Sequence, residues 1–291
     1  MKKQLLILLL EADILEGVLS WPIRELGAKV LFYRTDAQIK LYVEAHRPDV
    51  VLLDEPCGGP SKPLPETLHW LKQQCRSVRV VWDATDTPWH GYLESYARQD
   101  TFSLTVAADG AVDWPHRAGT DVSLPTPVDP QWYESRGTVE RTVRLGFSGS
   151  IGTQGPRQRV IGDLQKDGLL TVRQRGEVQF PYSANADFYK TCQAVLNVAH
   201  TSSGRLQCKA RAIEAALAGC LLFETHGSPL QNWLTPGLDY IDYTEPEQVR
   251  AMLGRPDIMQ RAQEYGERAR AKVLGYGFPR MFWSAVMGEQ L

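Results

Sequence analysis

The segment Arg205-Leu-Gln-Cys-Lys-Ala-Arg-Ala-Ile-Glu-Ala-Ala-Leu-Ala-Gly-Cys-Leu-Leu-Phe-Glu224 reads as loop, helix and strand in succession. Ala210, Ala212 and the run Ala215 to Ala218 favour a helix, and Gly219 supplies a stop. Cys220 to Phe223 is a short apolar run of the buried-strand type. Just upstream, Thr201-Ser202-Ser203-Gly204 offers capping hydroxyls, and Arg205, Lys209 and Arg211 cluster in the predicted first turns. Unpaired N–H groups already make a helix N-terminus positive, so three cations there point to an anionic ligand. A diphosphate satisfies both amides and cations, and Glu214, about one turn beyond Arg211, is placed to accept hydrogen bonds from sugar hydroxyls.

Arg211-Ala-Ile-Glu214-Ala-Ala-Leu-Ala-Gly219, the apolar strand after it, and then Leu234-Thr-Pro-Gly237 through Val249 together resemble the nucleotide-sugar-binding half of GT-B glycosyltransferases. The likeness is greatest to the spore-maturation CgeB-like group, with its family 1/4-like C-terminal domain. This resemblance implies an α/β protein of two Rossmann-like, doubly wound parallel-sheet domains, with a cleft between them and a C-terminal helix crossing back. It implies a hexosyl- or pentosyltransferase whose donor substrate is a nucleoside-diphosphate sugar, UDP-linked, with no cofactor. Carried over by position, Glu214 would bind the donor ribose and Arg211 or Lys209 the donor phosphates. Many retaining members carry two glutamates eight positions apart, and Leu206 stands where the first would be. The sugar and the stereochemistry are therefore left open.

Composition fits a two-domain enzyme. At 291 residues, 43% hydrophobic and 23% charged, the chain can form two ordinary cores, and its net charge of -2 gives no large nucleic-acid footprint. The cysteines at 57, 75, 192, 208 and 220 lack Cys-x-x-Cys spacing and read as free thiols of a reducing cytosol. Lys2-Lys3 and Leu5 to Leu10 resemble the start of a signal peptide, but the apolar run ends at once in Glu11 and Asp13. It reads as a first buried strand, and the expectation is a cytoplasmic protein without a transmembrane segment.

The first half alternates apolar strands near 4–10, 28–33, 49–54, 78–83 and 102–107 with helices near 14–26, 36–46, 64–76 and 89–99. That is a parallel, doubly wound sheet, whose ligands bind outside the carboxyl ends of the strands. Glu11, Asp13, Asp54, Glu55, Asp83 and Asp86 occupy those positions, followed by Trp89, His90 and Tyr92. Aspartates there also cap helices and turns, while aromatic rings suit stacking on a sugar. If a transfer reaction here inverts, Asp13, Asp86 and His90 are the candidate catalytic bases for the acceptor; if it retains, no protein nucleophile is needed.

Gly119 to Pro125 and Pro127-Val-Asp129-Pro form a Pro-rich linker, similar to the interdomain x-Asp-Pro crossing of GT-B enzymes. The expected division is 1–130 on the acceptor side, 131–274 for the nucleotide sugar, and 275–291 as the helix that packs back. Val143 to Phe147 opens the second part as a strand and runs into Ser148-Gly149-Ser150-Ile-Gly152. Such a loop permits close backbone approach to a ligand, and Pro156 is well placed to start a helix. Gly149, Ser150 and Arg157 join the candidate donor residues, since a guanidinium there can hold a diphosphate oxygen bidentately. Ser183 or Asn185 is expected to cap a short helix, Ile258 to Val273 to form an amphipathic helix, and Gly275-Tyr-Gly277 to break it.

In transfer from a nucleoside-diphosphate sugar, negative charge builds on the departing diphosphate, and cations with helix N–H groups can stabilise it. No Asp-x-Asp motif follows a strand, so the expectation is a metal-independent reaction with no metal site. The acceptor is open among a saccharide, a protein side chain, a small metabolite and a modified nucleobase. Two other classes compete. Arg47-Pro-Asp-Val-Val-Leu-Leu-Asp54 reads like the phosphoacceptor strand of a response-regulator receiver, though no lysine follows Leu104 to Ala107 as a receiver requires. The other is a GT-B-shaped epimerase or binding module that does not transfer.

Overall fold

The computed structural model describes residues 3–9, 16–54, 63–82, 101–108, 121–134, 139–152, 155–173, 181–201 and 204–291. The strands in chain order are β1 (Leu5–Leu9), β2 (Lys29–Phe32), β3 (Val50–Asp54), β4 (Arg76–Val81), β5 (Leu104–Ala107), β6 (Val122–Ser123), β7 (Val143–Ser148), β8 (Thr171–Arg173), β9 (Cys192–Leu196), β10 (Leu221–Thr225) and β11 (Ile241–Tyr243). The helices are α1 (Glu16–Leu26), α2 (Asp36–His46), α3 (Pro65–Gln74), α4 (Pro156–Lys166), α5 (Tyr182–Thr191), α6 (Ala210–Leu217), α7 (Pro246–Leu253), α8 (Pro256–Gln260), α9 (Ala262–Tyr276) and α10 (Phe278–Met287). They fall into two units, Met1–Asp129 with Phe278–Leu291, and Pro130–Gly277.

In the first unit the strands lie in the order β2-β1-β3-β4-β5-β6, all parallel. β1 is buried along its whole length because both faces of the sheet are covered, and its alternation assigns each residue to a side. Leu5, Ile7 and Leu9 join Val18 and Leu19 of α1 with Phe282, Trp283 and Val286 of α10. Leu6 and Leu8 join Ile39 and Val43 of α2 with Leu68 and Leu71 of α3. The last helix is thus part of the first core. Arg76 secures its C-terminal end, donating from Nε to the Val286 carbonyl (3.0 Å) and from Nη2 to that of Ala285 (3.1 Å). Asp129, the acidic member of the Val-Asp-Pro motif, is buried against α1, where it accepts from Ser20 Oγ (2.7 Å) and Arg24 Nη1 (2.7 Å).

The second unit holds a parallel sheet in the order β11-β10-β9-β7-β8. Its core combines Leu145, Phe147, Leu196, Leu221 and Phe223 of the sheet with Ile161, Leu164, Val249 and Tyr265 of the helices. Gly219 ends α6 with φ +68°, the left-handed stop read from the sequence. Gly266 of α9 packs directly on it, so close that a Cβ at 266 would overlap the Gly219 carbonyl and the Cys220 nitrogen.

Several local expectations are corrected. α6 starts at Ala210 with Lys209 as N-cap and no side-chain cap, so Arg205 precedes the helix and the Thr201 hydroxyl instead donates to the Arg205 carbonyl (3.1 Å). α5 is capped by Pro181, which places Ser183 and Asn185 inside it. The tail is two helices rather than one, and Gly275 is accommodated within α9, which stops at Gly277 with φ +60°. The strand order 2-1-3-4-5 within the first sheet is also that of a receiver. The second parallel sheet is what distinguishes this chain from one.

Candidate functional site: the carboxyl edge of the second sheet

In the second sheet β7 is flanked by β8, the next strand in sequence, and by β9, so the chain steps out from β7 to β8 and then crosses back past β7 to β9. The carboxyl ends of β7 and β9 therefore bound the topological switch point, where doubly wound sheets bind ligands. Two guanidinium groups span it. Arg211, in the first turn of α6, donates from Nε to the Ser148 carbonyl at the end of β7 and from Nη1 to Asn197 Oδ1 just beyond β9 (2.9 Å). Its guanidinium carbon lies 4.2 Å from the Phe147 ring centroid. Arg157, in the first turn of α4, repeats the pattern one layer out, with Nη1 toward the Ser150 carbonyl (3.4 Å) and Nη2 to the His200 carbonyl (2.9 Å).

Glycine at 149 is required by this arrangement. Its φ is +134°, and a Cβ would overlap Nη2 of Arg211. The adjoining Gly152 and Gly155 also have positive φ, +77° and +95°, the region that favours glycine. Arg159, two residues along α4, points away and pairs with Glu245 (2.6 Å) on the surface. Lys209 donates to Gln207 at the start of α6.

Glu214 lies one turn beyond Arg211 and is buried. Its Oε1 accepts from the Tyr182 hydroxyl (2.7 Å), which leaves Tyr182 to accept from Tyr133 (2.9 Å). Burial, followed by the Glu214 charge, pushes the hydroxyls of Tyr133, Tyr182 and Tyr189 well above the usual tyrosine range, so all three keep their protons. His200, beside Arg157, is held below the ordinary histidine value by burial and then by the Arg157 charge, and is neutral at pH 7.

Glu224, near the end of β10, is fully buried. It accepts from Asn197 Nδ2 (2.7 Å) on one oxygen and from the Thr225 N–H (2.8 Å) on the other. Burial pushes its carboxyl up to about 7, against the opposing pull of those bonds and of Arg211 and Lys209.

Of the residues singled out in the sequence, Gly149, Ser150, Arg157 and Arg211 meet at the ends of β7 and β9. Lys209 and Glu214 flank them on the same helix start. Asp13, Asp86 and His90 lie outside the described residues, as do Glu11, Glu55, Asp83, Trp89 and Tyr92. Asn197, Glu224, Tyr182 and His200 were not singled out. The carboxyl-end rule points to two of them, because Asn197 follows the apolar run Ala194 to Leu196 and Glu224 follows Leu221 to Phe223. Among the described residues no cluster of three or more His, Cys, Asp or Glu side chains forms a metal-holding group. Cys75, Cys192, Cys208 and Cys220 are free thiols, and no described helix is long and apolar enough to cross a membrane.

Two all-parallel α/β units of these strand orders constitute the GT-B fold, and the match to solved GT-B structures runs through the whole chain. Anabaena HepE in complex with UDP-glucose is similar over 98% of this chain and 98% of its own, with a TM-score of 0.66 at 11% identity. Sucrose-phosphate synthase from Thermosynechococcus elongatus matches over 98% and 96%, with a TM-score of 0.62 at 10% identity. A glycosyltransferase from Rickettsia africae matches over 99% of both chains, at 0.61 and 10%. At such identities the likeness is one of fold. In sequence, residues 146–278 match the family described as glycosyl transferase-like. No curated protein matches the chain.

Proposed function

We propose that this protein is a metal-independent glycosyltransferase that takes a sugar from a nucleoside-diphosphate sugar, UDP-linked. The observation that carries this reading is the Arg211 guanidinium at the switch point, joined by the amide end of α6. There it can meet a departing diphosphate as charge develops on it, and such preorganised donors and cations commonly supply the largest part of catalysis. Arg157, Lys209 and the Gly149-Ser150 turn complete the phosphate side, and Glu214 holds the ribose, with Tyr182 fixing its carboxylate. That HepE was solved with UDP and with UDP-glucose supports the choice of donor. For an inverting reaction the acceptor base is assigned to the first unit, with Asp13, Asp86 and His90 as candidates; a retaining one needs no protein nucleophile. Placement in the CgeB-like group and in the cytoplasm rests on the sequence.

The test is thermal stabilisation by UDP, GDP, ADP, TDP and their sugars, followed by acceptor screens with the donor that binds. Ligand at about 100 times its dissociation constant adds on the order of 2.7 kcal/mol, an easily seen shift. UDP stabilisation that is lost in Arg211→Ala and Glu214→Ala is the expected result. Absence of any nucleotide response, with acyl-phosphate labelling at Asp54 instead, would return the receiver reading. Donor binding without transfer to any acceptor would favour a binding module or an epimerase.

A further inference from the structure

Arg211 is held by a second layer that the donor reading does not require. Asn197 sits just past β9 with its backbone fixed on both sides. Its N–H donates to the Phe223 carbonyl (2.8 Å), and its own carbonyl accepts from the Tyr243 hydroxyl (2.8 Å). Only the carboxamide is left to turn. One end of it faces Glu224 and the other faces Arg211. A carboxylate accepts and a guanidinium donates, so only one orientation satisfies both neighbours, with Nδ2 to Glu224 and Oδ1 to Arg211. Glu224 is itself fixed, because its second oxygen takes the Thr225 N–H.

We propose that Asn197 and Glu224 are positioning residues of the donor diphosphate site, forming a one-way hydrogen-bond relay from β10 through β9 that fixes the guanidinium of Arg211 where the phosphates bind. This rests on the transferase reading for the identity of the anion. The relay crosses two adjacent strands at their carboxyl ends, so it ties the aim of Arg211 to the most buried strand of the unit rather than to the glycine turn. A buried network in which every member has its partner specifies one geometry, whereas a half-satisfied one leaves its members free to turn.

Reversing the relay's direction tests it. In Glu224→Gln, the new carboxamide oxygen can serve Thr225 only if its NH2 faces the Asn197 NH2, and turning Asn197 merely moves the donor-donor contact to Arg211. In Glu224→Gln with Asn197→Asp, the new carboxylate accepts from both the introduced carboxamide and Arg211, and every donor again meets an acceptor. Wild type, both single variants and the double variant are titrated at pH 8 with UDP by calorimetry and with uridine by ligand-observed NMR, after melting curves establish that each is folded.

The relay predicts a loss of UDP affinity of about tenfold or more in Glu224→Gln, a uridine affinity within about twofold of wild type, and recovery of most of the UDP affinity in the double variant. Equal losses for UDP and uridine would show a merely structural role and overturn the proposal. An unchanged UDP affinity in Glu224→Gln, or a double variant no better than the single, would also overturn it while leaving the transferase reading intact. A wild-type chain that binds neither UDP nor any other nucleoside diphosphate would overturn both.

Discussion

Glu224 carries an energetic signature separate from ligand binding. Its carboxyl titrates near 7 in the folded chain against about 4.5 for a free glutamate, so the folded state holds the proton more tightly. The stability this group contributes is fully present below about pH 4.5 and is lost as the pH rises to about 7, in total about 3 kcal/mol. The side chain in Glu224→Gln does not ionise and lacks that dependence. Urea denaturation of wild type and Glu224→Gln between pH 4.5 and 8 should therefore show their stability difference moving in favour of the variant as pH rises, then levelling off. Parallel curves across that range would mean that the carboxyl is not strained by burial. A residue of this kind persists at a cost to the fold, which is intelligible if something else depends on its charge and geometry.

The contact between α6 and α9 depends on paired glycines. Gly266→Ala would gain up to about 1 kcal/mol of helix propensity, but the added Cβ overlaps backbone that cannot swing aside as a side chain would. The variant is expected to lose about 2 kcal/mol of stability net, measured by chemical denaturation. Gly275→Ala, in the same helix with open space around it, should cause no loss. The two ends of this contact also mark where sequence reading succeeds and where it stops. Gly219 was legible as a stop because a helix former precedes it and an apolar strand follows. Gly275 was misread as a break because nothing local distinguishes a glycine inside a last turn from one beyond it. The α2 limits were read correctly at 36–46, where Thr35 caps the start by accepting from the Gln38 N–H (3.3 Å). The start of α6 was read too early, since basic residues in a row look alike whether or not the backbone has begun to turn. Arg211 and Glu214 were legible from one helix face. Their partners Ser148, Asn197 and Tyr182 come from other elements, and no local pattern announces a pairing across strands.

At the scale of the molecule, the first unit is discontinuous in sequence, with residues 3–129 and α10 sharing one core around Leu5, Ile7, Phe282 and Trp283. Removing residues 278–291 takes four buried side chains, Phe282, Trp283, Val286 and Met287, from that core, and large buried side chains each contribute about 2 to 5 kcal/mol. Limited proteolysis of the truncated chain should cut freely within the first unit while sparing residues 130–277, and UDP should still protect the second. Equal susceptibility of both units would show that they do not stand separately. The same discontinuity bears on how the protein is made. Translation delivers β1 before the second unit and α10 after it, so the part of the first sheet's face that α10 covers stays open while the entire second unit leaves the ribosome. The second unit has all its residues once Gly277 is out and can close before the first, which reverses the usual order in which domains mature and leaves part of an apolar sheet face open during synthesis.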